Sequence, residues 1–136
     1  MTQPKQIARQ FLQGLAKRDF ESMFAVADPN GTWWVLGRPD KVPYGGTTTF
    51  AARKEELQGY MGTMSTYDFV ILDIIAEGSK VVVEGISHGS GPTNGATYEN
   101  QVVLVIVVNE QGLVSSVREF LDPFEVFSYA EATARA

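Results

Sequence analysis

Two carboxylates, one carboxamide and one histidine stand on strand-like segments, and chemistry would have to be built from them. Side chains on a strand alternate, so Glu119 shares a face with Val117 and Leu121, and Asn100 with Val102 and Leu104. Glu84 shares a face with Ile86 and His88. If an even-register hairpin joins the segments around Glu84 and Asn100, Glu84 lies opposite or diagonal to Asn100. Glu84, Asn100 and Glu119 would then converge on one side of a sheet, among Val82, Val102 and Val117. A carboxyl in apolar surroundings holds or accepts a proton near neutral pH, which is general acid/base chemistry. Glu119 would be the acid/base, Asn100 the group orienting a substrate oxygen, and Glu84 or His88 a second polar contact. A plainer assignment stands beside it: Glu84 and Glu119 face water, or pair with Arg118, Lys80 or a partner subunit. Such structural pairs perturb carboxylates too. His88 is the single histidine and there is no cysteine, so multi-histidine metal sites, disulfides and thiolate chemistry are excluded. No Gly-rich phosphate loop, nucleophile elbow or HExxH occurs, and no cofactor or metal is expected.

The elements that must position these residues begin with the stretch Ala96 to Pro123, which reads as two long strands joined at Asn109-Glu110-Gln111-Gly112. Val102, Val103, Val105, Ile106, Val107 and Val108 form a β-branched run that suits a strand covered on both faces. Polar groups at the hairpin's ends (Glu99, Asn100 and Gln101 on one strand, Arg118, Glu119 and Asp122 on the other) suggest a site at one end of a sheet, or mark solvated strand ends. Upstream, Tyr67 to Ala76 and Lys80 to His88 alternate as strands around the turn Glu77-Gly78-Ser79-Lys80, and Gly89 to Gly95 is a flexible loop.

Before the strands, Ile7, Ala8, Phe11, Leu12 and Leu15 make one apolar stripe of a helix over Gln6 to Ala16, closed by Lys17-Arg18. Asp19 caps a short helix, Phe20 to Ala27, which Asp28-Pro29-Asn30-Gly31 stops. Thr32 to Leu36 is a short aromatic strand. Residues 37–46, with two prolines and three glycines, form a loop that is either a lid carrying Tyr44 or a plain connector. One of Thr47, Thr48 or Thr49 caps a third helix running to about Met64, with Phe50, Leu57, Tyr60, Met61 and Met64 on its apolar side. The tail after Pro123 suits one or two helical turns. Phe11, Leu15, Trp33, Tyr60 and Leu104 are most simply core, although large aromatics pack imperfectly and could wall a cleft.

A length of 136 residues suits one domain spanning 1–136, and a net charge of −5 argues against general nucleic-acid binding. No apolar run approaches the roughly 20 residues of a membrane span, nor does the N-terminus carry a signal peptide's apolar core, so a cytoplasmic location is expected. Val81, Val83, Val103, Val105 and Val107 would make the outer sheet face too apolar for water, which predicts a homodimer through it.

The opening helix ending in LAKRDFESM, then DPNGTWWVLG, and above all NGATYEN…NEQGLVSSVREFLDP resemble the SnoaL-like domains of the nuclear transport factor 2-like superfamily. The resemblance spans nearly the whole chain and implies an α+β cone-shaped barrel: a strongly curved, mostly antiparallel sheet wrapped around three N-terminal helices. It further implies a deep apolar pocket and a homodimer. Its relatives include ketosteroid isomerases, polyketide cyclases, an epoxide hydrolase and dehydratases, and fold does not choose among them. The isomerases' tyrosine, aspartate base and acidic donor match Phe11, Val35 and about Leu104 here, which disfavours steroid isomerisation. The cyclases' late aspartate has Glu119 and Asp122 as nearest candidates, and the epoxide hydrolase's arginine-bridged aspartates have no clear counterpart. The combined expectation is a small-molecule pocket protein for an apolar carbonyl compound, walled by Phe11, Trp33, Tyr60 and Leu104. It is either a cofactor-free isomerase, aldol-type cyclase or dehydratase, or a non-catalytic binding or dimerisation module.

Overall fold

The computed structural model describes residues 3–91 and 95–134. Helix α1 (Pro4–Ala16) starts with Pro4 in its first turn, where a missing N–H costs no hydrogen bond. Its predicted stripe of Ile7, Ala8, Phe11, Leu12 and Leu15 is buried. Helix α2 (Phe20–Ala25) is capped by Asp19, whose Oδ1 accepts from the Ser22 N–H at 3.2 Å. Strand β1 (Ala27–Val35) runs straight through Asp28-Pro29-Asn30-Gly31, where a stop was expected; a register shift against its neighbour absorbs those four residues. A short unpredicted strand β2 (Gly46–Thr49) leads into α3 (Phe50–Met61), where Thr49 Oγ1 accepts from the Ala52 N–H at 3.1 Å. Arg18 does not serve the end of α1. Its Nη1 donates to the carbonyls of Met61 and Met64, at 3.1 and 2.7 Å, and so closes α3. Strands β3 (Thr66–Glu77), β4 (Lys80–Ser90), β5 (Thr97–Val108) and β6 (Val114–Phe120) follow, and then α4 (Pro123–Ala134), longer than the tail's expected turns. Three residues of the loop expected between β4 and β5, numbers 92–94, lie outside the described residues.

The strands form one sheet in the order β2-β1-β6-β5-β4-β3. All neighbours are antiparallel except β1 and β6, which run parallel. The architecture is therefore the expected α+β one, with two amendments: the sheet is mixed and does not close, and a fourth helix follows it. On the inner face, Phe11 packs its ring 5.7 Å from Phe24, 5.8 Å from Trp33 and 6.4 Å from Phe50, so helices and sheet share one aromatic cluster. Gly31 is required there, because a Cβ at that position would overlap the Phe50 ring.

The register of β4 against β5 overturns one expectation. Ser87 lies opposite Asn100, and Glu84 lies opposite Val103. Residues of opposite parity therefore share a face, so Asn100 points inward while Val82, Glu84 and His88 point outward. Val81 and Val83, expected outside, are fully buried inside. The outer face instead carries Val70 at 40 %, Ile75 at 61 % and Val103 at 37 % exposure, with Val82, Ile86, Val105 and Val107 half-buried around them. A homodimer through this corrected apolar face is accordingly proposed. Light scattering at micromolar concentration should give twice the 14.9 kDa chain mass, and Ile75→Glu should shift the particle to monomer. A wild-type monomer contradicts the proposal.

Candidate functional site

The inner face brings a charged pair under the helices. Arg53 projects from α3 on the side that also carries Phe50 and Leu57, and it is 8 % exposed. Its Nη2 donates to Glu119 Oε1 on β6 at 2.9 Å, and the Trp33 indole N–H on β1 donates to the same oxygen at 3.0 Å. The guanidinium also lies over the Trp33 ring, 5.0 Å from its centroid, so one indole supports both members of the pair. Glu56, one turn along α3, stands 3.7 Å from Arg53 Nη1. Leaving either member of a buried pair alone costs about 3–5 kcal/mol, and the parallel β1–β6 pairing that sets Val35 against Glu119 brings these side chains together. Glu119 Oε2 receives no hydrogen bond among the described residues.

Glu119 thus faces inward as its parity predicts, but its surroundings are ionic rather than apolar. It lines an internal cavity of about 50 Å³, shared with Leu15, Trp33, Leu57, Tyr60, Tyr67, Ser87, Tyr98 and Leu104 among others. Three phenols give this space its polar character. Tyr67 Oη and Ser87 Oγ share a 2.6 Å hydrogen bond, Tyr98 Oη accepts from Asn100 Nδ2 at 2.9 Å, and Tyr60 Oη has no partner among the described residues. Burial pushes all three phenols well above the ordinary tyrosine range, and the Glu119 charge adds to the rise at Tyr67 and Tyr98. These groups stay protonated donors at any physiological pH. A neighbouring groove of about 260 Å³, lined by Tyr44, Arg53, Glu56, Leu57, Tyr60 and Val126, shares Leu57 and Tyr60 with the cavity. Tyr44, from the 37–46 loop, packs 6.5 Å from Phe127 of α4, and Tyr129 of α4 stacks edgewise on Tyr60 and Tyr98 at 5.7 and 5.8 Å. Loop and C-terminal helix therefore roof the site.

The residues expected at the site divide into those the fold gathers and those it does not. Glu119, Trp33, Tyr60 and Leu104 line the cavity together. Phe11 is fully buried core behind Trp33 rather than a wall. Asn100 is buried beside the cavity, but both of its N–H groups are engaged, by Tyr98 Oη and by the Asp122 carbonyl. Its Oδ1 accepts the Asp122 N–H at 2.9 Å, so the amide clasps the chain where β6 leaves the sheet instead of facing a substrate oxygen. Glu84 and His88 are exposed on the outer face, where His88 stands between Asp68 and Glu99, and neither reaches the cavity. Asp122 is a cap, accepting the Phe124 N–H at 2.9 Å. Sequence reasoning missed Arg53, Tyr67 and Tyr98. The available signals were a cation at i+3 from Phe50 on the apolar side of α3, and tyrosines in phase with Phe69 and with Asn100. Among the described residues no group of three or more histidine or acidic side chains could hold a metal ion.

The tyrosines set a pH dependence. Tyr44, Tyr60, Tyr67 and Tyr98 all have folded values above that of an exposed phenol, chiefly through burial. Above about pH 10 the unfolded chain releases these protons while the folded chain keeps them, so the stabilisation is complete below pH 10 and is lost as pH rises beyond it. An alkaline absorbance titration should show most of the five tyrosines ionising only as the fold is lost, and five ordinary titrations in the folded protein would contradict this.

The SnoaL-like domain family profile matches residues 8–117. UPF0523 protein B of Dictyostelium discoideum is 26% identical over 134 residues, covering 94% of this chain and 81% of that protein. The crystal structure of an NTF2-like protein from Burkholderia xenovorans LB400 is 27% identical, with a TM-score of 0.68 and 98% of each chain covered. The BvnE pinacolase from Penicillium brevicompactum superposes with a TM-score of 0.82 at 19% identity, covering 97% of this chain and 94% of its own, a likeness of fold alone. No helix among the described residues is long and apolar enough to cross a membrane. The profile covers most of the chain, and the chain belongs to the SnoaL-like domain family of the NTF2-like fold.

Proposed function

We propose that the chain is a cofactor-independent acid/base enzyme acting on a small, mostly apolar carbonyl compound. One observation carries the reading: Glu119 Oε1 is fixed by Arg53 and Trp33, while Oε2 is left unpaired on a carboxylate lining a tyrosine-rich cavity. A carboxylate held in one orientation with one free oxygen suits a general base. Oε2 takes a proton from the carbon next to a carbonyl, the C–H pair becomes a C=C bond, and the carbonyl π pair moves onto oxygen. In a β,γ-unsaturated ketone the enolate is a dienolate, and return of that proton at the γ-carbon shifts the C=C bond and completes an isomerisation. Attack of the enolate carbon on a second carbonyl, with the proton passed to the new alkoxide, completes an aldol-type cyclisation. No external oxidant or reductant enters either balance. The pinacolase likeness supports a fold suited to small organic molecules, and no more than that.

A non-catalytic binding module is the second reading, and the cavity volume favours it: about 50 Å³ holds a few waters, so a ligand must also use the groove beside Tyr60. Deuterium uptake at the α-carbons of 2-tetralone in heavy water separates the two. Wild type should accelerate exchange above the buffer rate. Glu119→Gln keeps an oxygen for Arg53 and Trp33 but has no base, and should lose on the order of 10² or more of that acceleration with its far-ultraviolet circular dichroism unchanged. Equal exchange by wild type and variant removes Glu119 from the chemistry; binding with no acceleration by either favours the module.

A further inference from the structure

Among the described residues, three buried side-chain polar atoms have no hydrogen-bond partner: Tyr44 Oη, Tyr60 Oη and Arg53 Nε. Unpaired buried donors are uncommon because each forfeits its hydrogen bond to water, and a cluster of them calls for an explanation. These three are not scattered. All belong to residues lining the one groove between α3, the 37–46 loop and α4, whose remaining walls include Leu57 and Val126. Tyr44 and Tyr60 lie within electrostatic reach of each other, and Tyr44 within reach of both Glu119 and Arg53. The guanidinium N–H can only donate and each phenol can donate, so a single acceptor oxygen is the partner that satisfies all three, and its frame is apolar.

We infer that Tyr44 Oη, Tyr60 Oη and Arg53 Nε form an oxygen-binding subsite that holds the carbonyl oxygen of an apolar ketone and the negative charge it gains when Glu119 takes the proton. Charge decides between a neutral and an anionic ligand. Arg53 already faces Glu119 at 2.9 Å and Glu56 at 3.7 Å, so a carboxylate ligand would place a third anion against one cation. A neutral ketone adds none. When its proton moves to Oε2, the negative charge passes from Glu119 to the ketone oxygen and the net charge of the site is unchanged. Arg53 then serves both ends of the transfer, with Nη2 on the base before the step and Nε on the oxygen after it. The subsite deepens the acid/base reading and rests on it for the direction of proton flow.

Binding of 4-nitrophenol, whose anion is coloured and whose neutral form is not, tests this without turnover. In Glu119→Gln a neutral amide stands in for the protonated base, so the variant should bind the phenolate at least about tenfold more tightly than wild type does, and colour should persist below the free probe's titration midpoint. Adding Tyr44→Phe or Tyr60→Phe should each weaken phenolate binding by about tenfold or more, the effect of losing a hydrogen bond to a charged oxygen. Neither phenylalanine variant should lower the melting temperature, because the hydroxyl removed has no protein partner. A fall in melting temperature would mean that trapped water or an undetected partner satisfies these groups, and the subsite is then refuted. No binding at millimolar probe, or equal binding of anion and neutral form, refutes it as well. Loss of ketone exchange in Glu119→Gln with no response to either phenylalanine variant retains the base and rejects the subsite; the reverse pattern rejects the base.

Discussion

The inner face of the sheet depends on the pairing of Arg53 with Glu119. A guanidinium and a carboxylate withdrawn from water are tolerated only when each satisfies the other and further donors complete the shell. Three elements meet that condition jointly. α3 supplies the cation, β6 the anion, and β1 the indole that donates to one and stacks under the other. The parallel β1–β6 pairing is what makes this possible, since it sets Val35 beside Glu119 and Trp33 beside Val117. The surrounding aromatic core then fixes the indole through Phe11 and Phe50.

The same pair divides the interior into two environments. Around α1 the core is dry, with Phe11, Leu12, Met23 and Ile106 almost completely buried. Toward α4 the walls become tyrosines, and Tyr60, Tyr98 and Tyr129 stack on one another at 5.7 to 5.8 Å. Tyrosine suits that boundary because its ring fills space as a hydrophobe while its hydroxyl remains a donor. α4 is anchored by a single fully buried side chain, Tyr129, and by the Asn100 clasp at its approach.

Much of this was legible in the sequence wherever periodicity spoke for a whole element. The α1 stripe and the inward direction of Glu119 follow from spacing of 3.6 or 2 among apolar neighbours, the Asp19 cap from the preference of a short carboxylate for a helix start, and all three hold. Asn100 also points inward, yet its role was misread, because an amide that clasps backbone looks the same in sequence as one that orients a ligand. Glu84 and His88 were misplaced by a single parity choice at a hairpin whose connecting residues fix no register by themselves. Arg53 was missed for a different reason: its place at i+3 from Phe50 is the one local signal, and a cation there reads as solvated until its buried partner is known. That partner lies 66 positions away, and local patterning carries no information across such a separation.

Trp33 and Trp34 supply a built-in comparison, since the first touches the pair and the second lies on the outer face under Arg118. Their indole N–H resonances in a proton–nitrogen spectrum, followed during titration with 2-tetralone, test most directly whether the Arg53–Glu119 pair is the ligand-facing heart of the molecule. The Trp33 resonance should shift and saturate while that of Trp34 stays in place. A shift confined to Trp34, or the absence of any shift at Trp33 with ligand bound, would contradict the account.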